Sequence, residues 1–470
     1  MSLPPLSIAF HGAARTVTGS RHLLRLGDRR WLVDCGLSQG RRDASDRINR
    51  TFDFEPGSLD AVVITHAHID HIGNVPTLVS QGFRGPITLT PATADLAQVM
   101  LADSARLMQR DIEHVNKRHR GRPERKLLFT QEDVNATFTS FESHAYGEPW
   151  PLFEGVTAEY FDAGHILGSA MVRFTLKAAG TTKTVLMGGD LGRPGRPILR
   201  DPVVPPGGCD VLVMESTYGD RHHSPDDDTE RDLIAAVKRT IERGGRLIVP
   251  AFAVGRTQEL VAFLHRLTEE GRIPSVPIYV DSPMAREATA VFVRHPECFD
   301  AETAKQFSED GREPFGFDRL RYVSSVDESK ALNAGDEPCI IISASGMCEG
   351  GRVLHHLIHS LGDSRNTILF VGYQAEGTLG RRLRDGAEKV NVFGEAVTVR
   401  AEISSLDGFS AHADQSESID WVLRLDPMPA TIFLVHGEPG PMDVLAGLLR
   451  ERTGATVHAP EHLAEFDLWN

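Results

Sequence analysis

The chain has 470 residues, 41% of them apolar, which is room for about two or three domains with real cores; no run of 18 apolar residues occurs, which excludes a transmembrane helix. Five scattered cysteines (Cys35, Cys209, Cys298, Cys339, Cys348) without a Cys-x-x-Cys pair exclude a disulfide scaffold, and with no basic–apolar leader they read as a cytoplasmic protein. Lys+Arg 50 against Asp+Glu 65 leaves a net charge of −15, which argues against nonspecific coating of nucleic acid and confines any such binding to a local groove.

Leu6–Phe10, His22–Leu26 and Arg30–Asp34 are short apolar runs between glycine-containing turns and predict strands. Ala61-Val62-Val63-Ile64-Thr65 predicts a buried strand that ends in a polar, histidine-rich segment. A helix is expected from about Thr93 to His119, where Leu96, Met100, Leu107, Met108, Ile112 and Val115 recur near helical spacing. The basic stretch Lys117–Lys126 after it is either a solvated loop or a nucleic-acid contact. Strands follow at Val156–Phe161, Met171–Leu176 and Thr184–Met187. The Pro/Gly-rich segment Pro202–Gly208 reads as a boundary, and Val211–Met214 as another buried strand. From about 218 the rhythm changes. Helices near Thr229–Arg243 (closed by Gly244-Gly245), Gln258–Thr268, Ala285–Arg294 and Val353–Leu361 alternate with strands at Leu247–Val249, Pro277–Val280, Ile340–Ile342 and Ile368–Val371. Such alternation predicts a parallel sheet covered by helices. Strands at Val397–Ile403 and Thr431–Val435, with helices near Gln415–Leu423 and Met442–Arg452, close the chain.

The strongest chemical signal is His66-Ala67-His68-Ile69-Asp70-His71, directly after the buried strand. One histidine after a strand is usually structural; three with an aspartate form a metal-ligand set, because open zinc sites take imidazole nitrogen and carboxylate oxygen. His66 and His68, two apart, point the same way and can share one metal, while Asp70 and His71 can serve a second. One loop cannot fill two coordination spheres, so further ligands must come from other strand ends. His165, Asp190 and His436 lie there. Taken singly, His165 reads as a turn residue or a ligand, and Asp190 as a helix N-cap or a ligand; together they complete a two-metal set bridged by Asp190. Neighbouring glycines allow the backbone to approach closely.

At these residues the sequence resembles the metallo-β-lactamase superfamily, and further motifs narrow the resemblance to its β-CASP branch. They are Asp34–Gly40, Glu215–Arg221, Pro250–Arg256, Asp281–Ala285, Ser345–Met347 and Gly408–Asp414. Members are RNA-processing nucleases, among them the 73-kDa subunit of the cleavage and polyadenylation specificity factor and its stand-alone bacterial and archaeal relatives. The resemblance runs from about Gly12 to Pro439. It implies an α/β fold: a four-layered αβ/βα metallo-β-lactamase domain built from 1–216 and 398–470, with an inserted β-CASP domain, a parallel sheet flanked by helices, at 217–397. It also implies two zinc ions per chain. His66, His68 and His165 would hold one, Asp70, His71 and His436 the other, with Asp190 bridging and Asp34 orienting the ligand loop. His436 favours RNA, since DNA-specific relatives typically carry Val there; Gly189, where relatives often carry Ser or Thr, is a small departure.

The implied activity is hydrolysis of single-stranded RNA, either endonucleolytic alone or both endonucleolytic and 5′-exonucleolytic, leaving 5′-phosphate and 3′-hydroxyl ends. Asp70 or Asp190 would orient or deprotonate the attacking water. His412 would protonate the leaving oxygen, its pKa raised by Glu215. Without the resemblance His412 reads equally as a helix cap, and Glu215 as a solvated or ion-paired carboxylate. Substrate contacts are expected from Ser345, Gly346, Arg256 and Arg352; His355 and His356 are expected on a helix surface. The resemblance further implies a homodimer, other RNA-processing partners and no membrane. The competing readings are a small-molecule hydrolase of the same superfamily, a partner-dependent RNA-processing subunit and a DNA-repair nuclease.

Overall fold

The computed structural model describes residues 3–40, 42–118, 124–309, 315–372 and 374–469. Of the basic stretch Lys117–Lys126, residues 119–123 lie outside the described residues. The chain divides into two compact units. One comprises 1–196, 200–222 and 412–470, and the other 197–199 and 223–411.

In the first unit two seven-stranded sheets face each other. One runs in the spatial order Glu465–Asp467, Leu6–Gly12, Arg21–Leu26, Arg29–Val33, Ala61–Val63, Ile87–Leu89, Phe141–Ser143. The other runs Thr456–His458, Thr431–Val435, Val211–Glu215, Thr181–Met187, Ala170–Ala178, Val156–Asp162, Trp150–Phe153. The period-2 alternation of strands builds the layers. Trp31, Val33, Ala61 and Val63 point into the core shared with Phe174, Val185, Val213 and Phe433 of the facing sheet. Leu32 and Val62 point outward and are covered by Val75, Leu78, Ala97 and Leu101 of the helices Val75–Ser80 and Pro91–Arg118. On the far side Leu212, Met214 and Leu434 are covered by Trp421, Val422, Leu445 and Leu449 of Gln415–Leu423 and Pro439–Thr453. The result is helix, sheet, sheet, helix.

The central strands of both sheets run parallel, so their carboxyl ends gather on one side. Three loops that carry expected ligands leave from there, after Val63, Met187 and Val435.

The second unit holds a six-stranded, all-parallel sheet in the order Leu320–Tyr322, Ile278–Val280, Cys339–Ser343, Arg246–Pro250, Thr367–Phe370, Glu402–Ser405. Its inner strands Cys339–Ser343, Arg246–Pro250 and Thr367–Phe370 are apolar on both faces, as burial between two helix layers requires. The run Val397–Ile403 is not one strand. Glu395–Thr398 forms a hairpin with Lys389–Val392, and Glu402–Ser405 pairs in parallel with Thr367–Phe370, so the second unit runs on to Ala411. Pro202–Gly208 is no boundary either. It lies within the first unit, where Val203 donates its N–H to the Asp162 carbonyl (2.9 Å) and accepts from Trp421 Nε1 (3.0 Å). No helix among the described residues is long and apolar enough to cross a membrane.

Candidate metal centre

The loop after Ala61–Val63 carries His66, and a single helical turn, Ile69–Ile72 with His68 at its N-cap, carries Asp70 and His71. Backbone bonds hold this turn against the strand-end segment 35–37: Cys35 N–H donates to His71 O (2.7 Å) and Leu37 N–H to Ile69 O (2.9 Å). Gly36 lies between them. A Cβ there would fall 1.6 Å from the Asp70 carbonyl oxygen, so the pairing requires glycine. Gly192 plays the same part beside His165, where a Cβ would fall 1.9 Å from the Gly164 carbonyl oxygen.

Two ligand sets result. His66 Nε2 lies 3.1 Å from His68 Nδ1, and His165 Nε2 lies 3.2 Å from that same Nδ1. Asp190 Oδ2 completes the set at 3.4 Å from His66 Nε2 and 3.5 Å from His165 Nε2. On the other side Asp190 Oδ1 lies 3.2 Å from His71 Nε2 and 3.8 Å from His436 Nε2, and Asp70 Oδ2 lies 3.3 Å from His436 Nε2. Within each group (His66, His68, His165, Asp190; Asp70, His71, His436) the donor atoms lie within 4.8 Å of one another. Seven residues drawn from four stretches of chain are thus brought together, with one carboxylate facing both groups.

Asp34 stands behind the loop. Its Oδ2 accepts from His71 Nδ1 (2.7 Å) and its Oδ1 accepts from the Thr65 N–H (2.8 Å). A carboxylate only accepts here, so Nδ1 carries a proton and the His71 ring is held with Nε2 toward Asp190. Thr65 and Ser20, which also bonds Asp34 Oδ2 at 3.5 Å, were not expected as supports. Thr65 is adjacent to His66 in sequence; that adjacency is the only signal that marks it.

The protonation states follow from the burial of so many nitrogens. Burial and the neighbouring His71 push His66 well below its usual value, and burial takes His68 down to about 4. For His71 burial acts downward, but Asp190 and Asp34 outweigh it and raise it well above. Asp190 is held well below the carboxylate range by His436, His71 and His66 against the upward push of burial. His71 Nε2 and Asp190 Oδ1 are buried without a hydrogen-bond partner. Buried polar atoms of this kind are costly, and inward-turned imidazoles with carboxylates are the chemistry of a divalent-cation site; the residues fit a metal pair.

Beside Asp190 lies a carboxylate–imidazole pair. Glu215, the last residue of Val211–Glu215, is buried and accepts from His412 Nδ1 at 2.9 and 3.0 Å and from the Leu191 N–H at 2.7 Å. His412 does not cap the next helix; Asp414 does, in a capping box with Glu417. Burial alone would lower the His412 pKa, but Glu215, then Asp190 and Asp70, raise it to about 9. Thr217, also unexpected, bonds Glu215 and His436 Nδ1 (3.1 Å) at once. Its signal was its position in Glu215-Ser216-Thr217.

The four expected substrate residues lie in the second unit and form a different environment. Arg352, the N-cap of Val353–Ser360, is engaged: it donates to Asp281 Oδ1 (2.6 Å) and to the carbonyls of Val323 (3.3 Å) and Ser324 (3.1 Å). Arg256 pairs with Glu259 one helical turn on and lies over the Phe409 ring. Ser345 Oγ accepts from the Glu349 N–H (3.2 Å), and the Gly346 carbonyl accepts from Gln374 (3.0 Å). His356 is not on a helix surface. It is 0% exposed and bonds Asp281 Oδ2 (2.7 Å) and Asn333 (2.8 Å). An imidazole with two partners lowers the penalty of burial, and it holds Val353–Ser360 to the end of Ile278–Val280.

Comparison with known proteins agrees with this architecture. Residues 18–114 match the metallo-beta-lactamase superfamily, 257–383 the Beta-Casp domain, and 396–460 the Zn-dependent metallo-hydrolase RNA specificity domain. Over 441 residues the chain is 39% identical to Ribonuclease TTHA0252 of Thermus thermophilus, covering 94% of this chain and 95% of that one. It is 31% identical over 465 residues to Transcription termination factor FttA of Methanocaldococcus jannaschii, covering 97% of this chain and 71% of that protein. A crystal structure of a protein of unknown function from Enterococcus faecalis V583 shares the fold, with a TM-score of 0.56 at 12% identity over 99% of this chain and 100% of that one. The chain belongs to the β-CASP family of metallo-β-lactamase-fold ribonucleases, and it is a metal-dependent hydrolase that acts on RNA.

Proposed function

We propose that this chain is a two-zinc ribonuclease that hydrolyses single-stranded RNA, internally and from the 5′ end, with His412 as the leaving-group acid. The observation that carries the proposal is the Glu215–His412 pair next to a carboxylate that faces two ligand sets. His66, His68, His165 and Asp190 Oδ2 would hold one zinc; Asp70, His71, His436 and Asp190 Oδ1 would hold the other. Zinc suits a donor set of imidazoles and carboxylates. When bound, such a pair supplies Lewis acidity that lowers the pKa of a water and neutralises charge on the phosphoryl oxygens.

The protein groups supply the rest. Asp34 keeps the His71 ring turned. Asp70 and Asp190, both ionised, orient the attacking water and accept its proton. The Glu215 bond occupies His412 Nδ1, which leaves Nε2–H as the donor to the departing 3′-oxygen. Its raised pKa keeps that proton in place near neutrality. Water attack followed by expulsion of the 3′-oxygen gives a 5′-phosphate and a 3′-hydroxyl, with no part for the RNA 2′-hydroxyl. A small-molecule hydrolase reading leaves the inserted unit of 223–411 and the Glu215–His412 pair without a role. Five free, buried cysteines support a cytoplasmic setting, and homodimerisation is part of the proposal.

The test is one single-stranded oligonucleotide made as RNA and as DNA, labelled at either end, given to wild type and to His412→Ala with metal content read in the same preparations. The expected result is cleavage of RNA alone, about two zincs in each protein, and a variant slowed on the order of a hundredfold or more. Internal fragments mark the endonuclease and mononucleotides from the 5′ label the exonuclease. Metal-replete wild type that cuts neither polymer overturns the proposal.

A further inference from the structure

Two motifs of the second unit meet at one exposed ring. Phe252 follows the strand Arg246–Pro250, which lies inside the parallel sheet between Cys339–Ser343 and Thr367–Phe370. It therefore sits at the carboxyl end of an interior strand, where open parallel sheets bind ligands. It is 48% exposed, as no core-building phenylalanine would be. Among the described residues the exposed large apolar side chains include two aromatic rings, Phe252 and Phe393. Phe393 already lies 4.6 Å from the His355 ring; no described ring lies on Phe252.

The backbone that carries Phe252 is held in place, and the ring packs against Gly346. Its backbone carbonyl accepts from Thr257 Oγ1 (2.7 Å) and from the Thr257 N–H (3.2 Å), at the start of the helix Arg256–Glu269. Gly346 packs so close that a Cβ there would lie 3.1 Å from Cδ2 of the ring and 3.2 Å from the Phe252 nitrogen. Gly346 thus joins Ser345–Met347 to Pro250–Arg256, and its missing side chain makes room for the ring. A half-exposed ring on a held backbone has few torsions left to order when it binds a flat partner. Unpaired RNA bases are such partners, and stacking tolerates any sequence because every base has a π face.

We propose that Phe252 is a stacking platform for an unpaired base of the RNA substrate, with Gly346 as the residue that positions its ring. The proposal rests on the ribonuclease reading above. It accounts for two motifs that the metal centre does not use.

The test uses the full-length chain and single-stranded RNA carrying 2-aminopurine at each position in turn. The parent is His412→Ala, so that the RNA stays intact; wild-type cleavage is followed in parallel. Fluorescence is expected to be quenched at one or more positions, to recover in Phe252→Ala and Phe252→Leu, and to stay quenched in Phe252→Trp. Kd should rise about tenfold in the Ala and Leu variants, the usual loss of one base stack. Gly346→Ala, which displaces the ring, should weaken binding in the same direction. In the cleaving background the loss should appear chiefly in KM.

Leu keeps the apolar bulk, so the comparison does not depend on the Ala variant folding. If wild type cuts RNA while the Ala and Leu variants bind and quench like the parent, stacking at Phe252 is overturned and the ribonuclease reading stands. If the variants change only the oligomeric state, the ring is a protein contact and the proposal fails likewise. Wild type that neither binds nor cuts RNA removes the ribonuclease reading itself.

Discussion

Each group in the centre is set by one or two neighbours. Asp190 faces imidazoles on both its oxygens, His71 is turned by Asp34, and His412 is charged by Glu215. The last pair gives a pH dependence with a definite sign. The raised His412 pKa means that the acid form is present below about 9 and lost as pH rises through it. Activity should therefore fall on the alkaline side. Glu215→Gln keeps the hydrogen-bond geometry but removes the charge, so burial prevails and the limb should move acidward by about one pH unit or more. A kcat/KM–pH profile of the two proteins checks this, and an unmoved limb would show that Glu215 does not set the acid. The proposed ligands were legible because four of them lie within six residues. Ser20 and Thr65 were not, because hydrogen bonds across 14 and 31 residues leave no local pattern. His356 was misplaced for a different reason. It is three residues after buried Val353 and next to buried Leu357, hence on the inward stripe, and its polarity hid that position.

At the scale of elements, the site depends on a helical turn pressed onto a strand end. Backbone bonds from Cys35 and Leu37 hold the turn Ile69–Ile72, and Gly36 permits the approach. Gly36→Ala puts a methyl group into the Asp70 carbonyl. The turn must then move, carrying Asp70 and His71 with it. The expected outcome is a loss of about 1–3 kcal/mol of stability together with loss of bound metal. Gly440→Ala, whose Cβ would meet nothing within 4 Å, is the control and should change neither. Thermal melts and metal analysis of the two variants decide it; full metal content in Gly36→Ala would mean that the turn does not need this contact. The parallel sheet of the second unit was legible as an alternation of strands and helices. The end of the unit was not. Val397–Ile403 reads as one β-prone run, and only pairing partners divide it between a hairpin and an edge strand.

For the molecule as a whole, the chain leaves the first unit near 222 and returns to it at 412. Every proposed metal ligand belongs to the first unit, so metal should stabilise one unit and not the other. A ligand at a thousandfold excess over its Kd adds roughly 4 kcal/mol to the state that binds it. In calorimetry, two transitions are expected, and chelation should lower one while leaving its partner in place. Assignment follows from Gly36→Ala, which should lower the same transition. A common shift of both would mean that the units melt together and that metal stabilises the whole chain.

The sequence by itself determined the ligand loop, the change of rhythm near 218 and the family, because these rest on residues adjacent in the chain or on periodicity. It also carried His165, Asp190, Glu215, His412 and His436 as candidates, each at an element end with a local motif around it. Tertiary structure alone decided which nitrogen faces which oxygen, that Thr217 joins Glu215 to His436, and that Arg352 and His356 serve a buried aspartate 71 and 75 residues away. It also decided that Phe252 stays exposed while Phe409 is buried. The reason is the same in each case. Hydrogen bonds and burial depend on which strands become neighbours, and that order is not written in any single stretch of the chain.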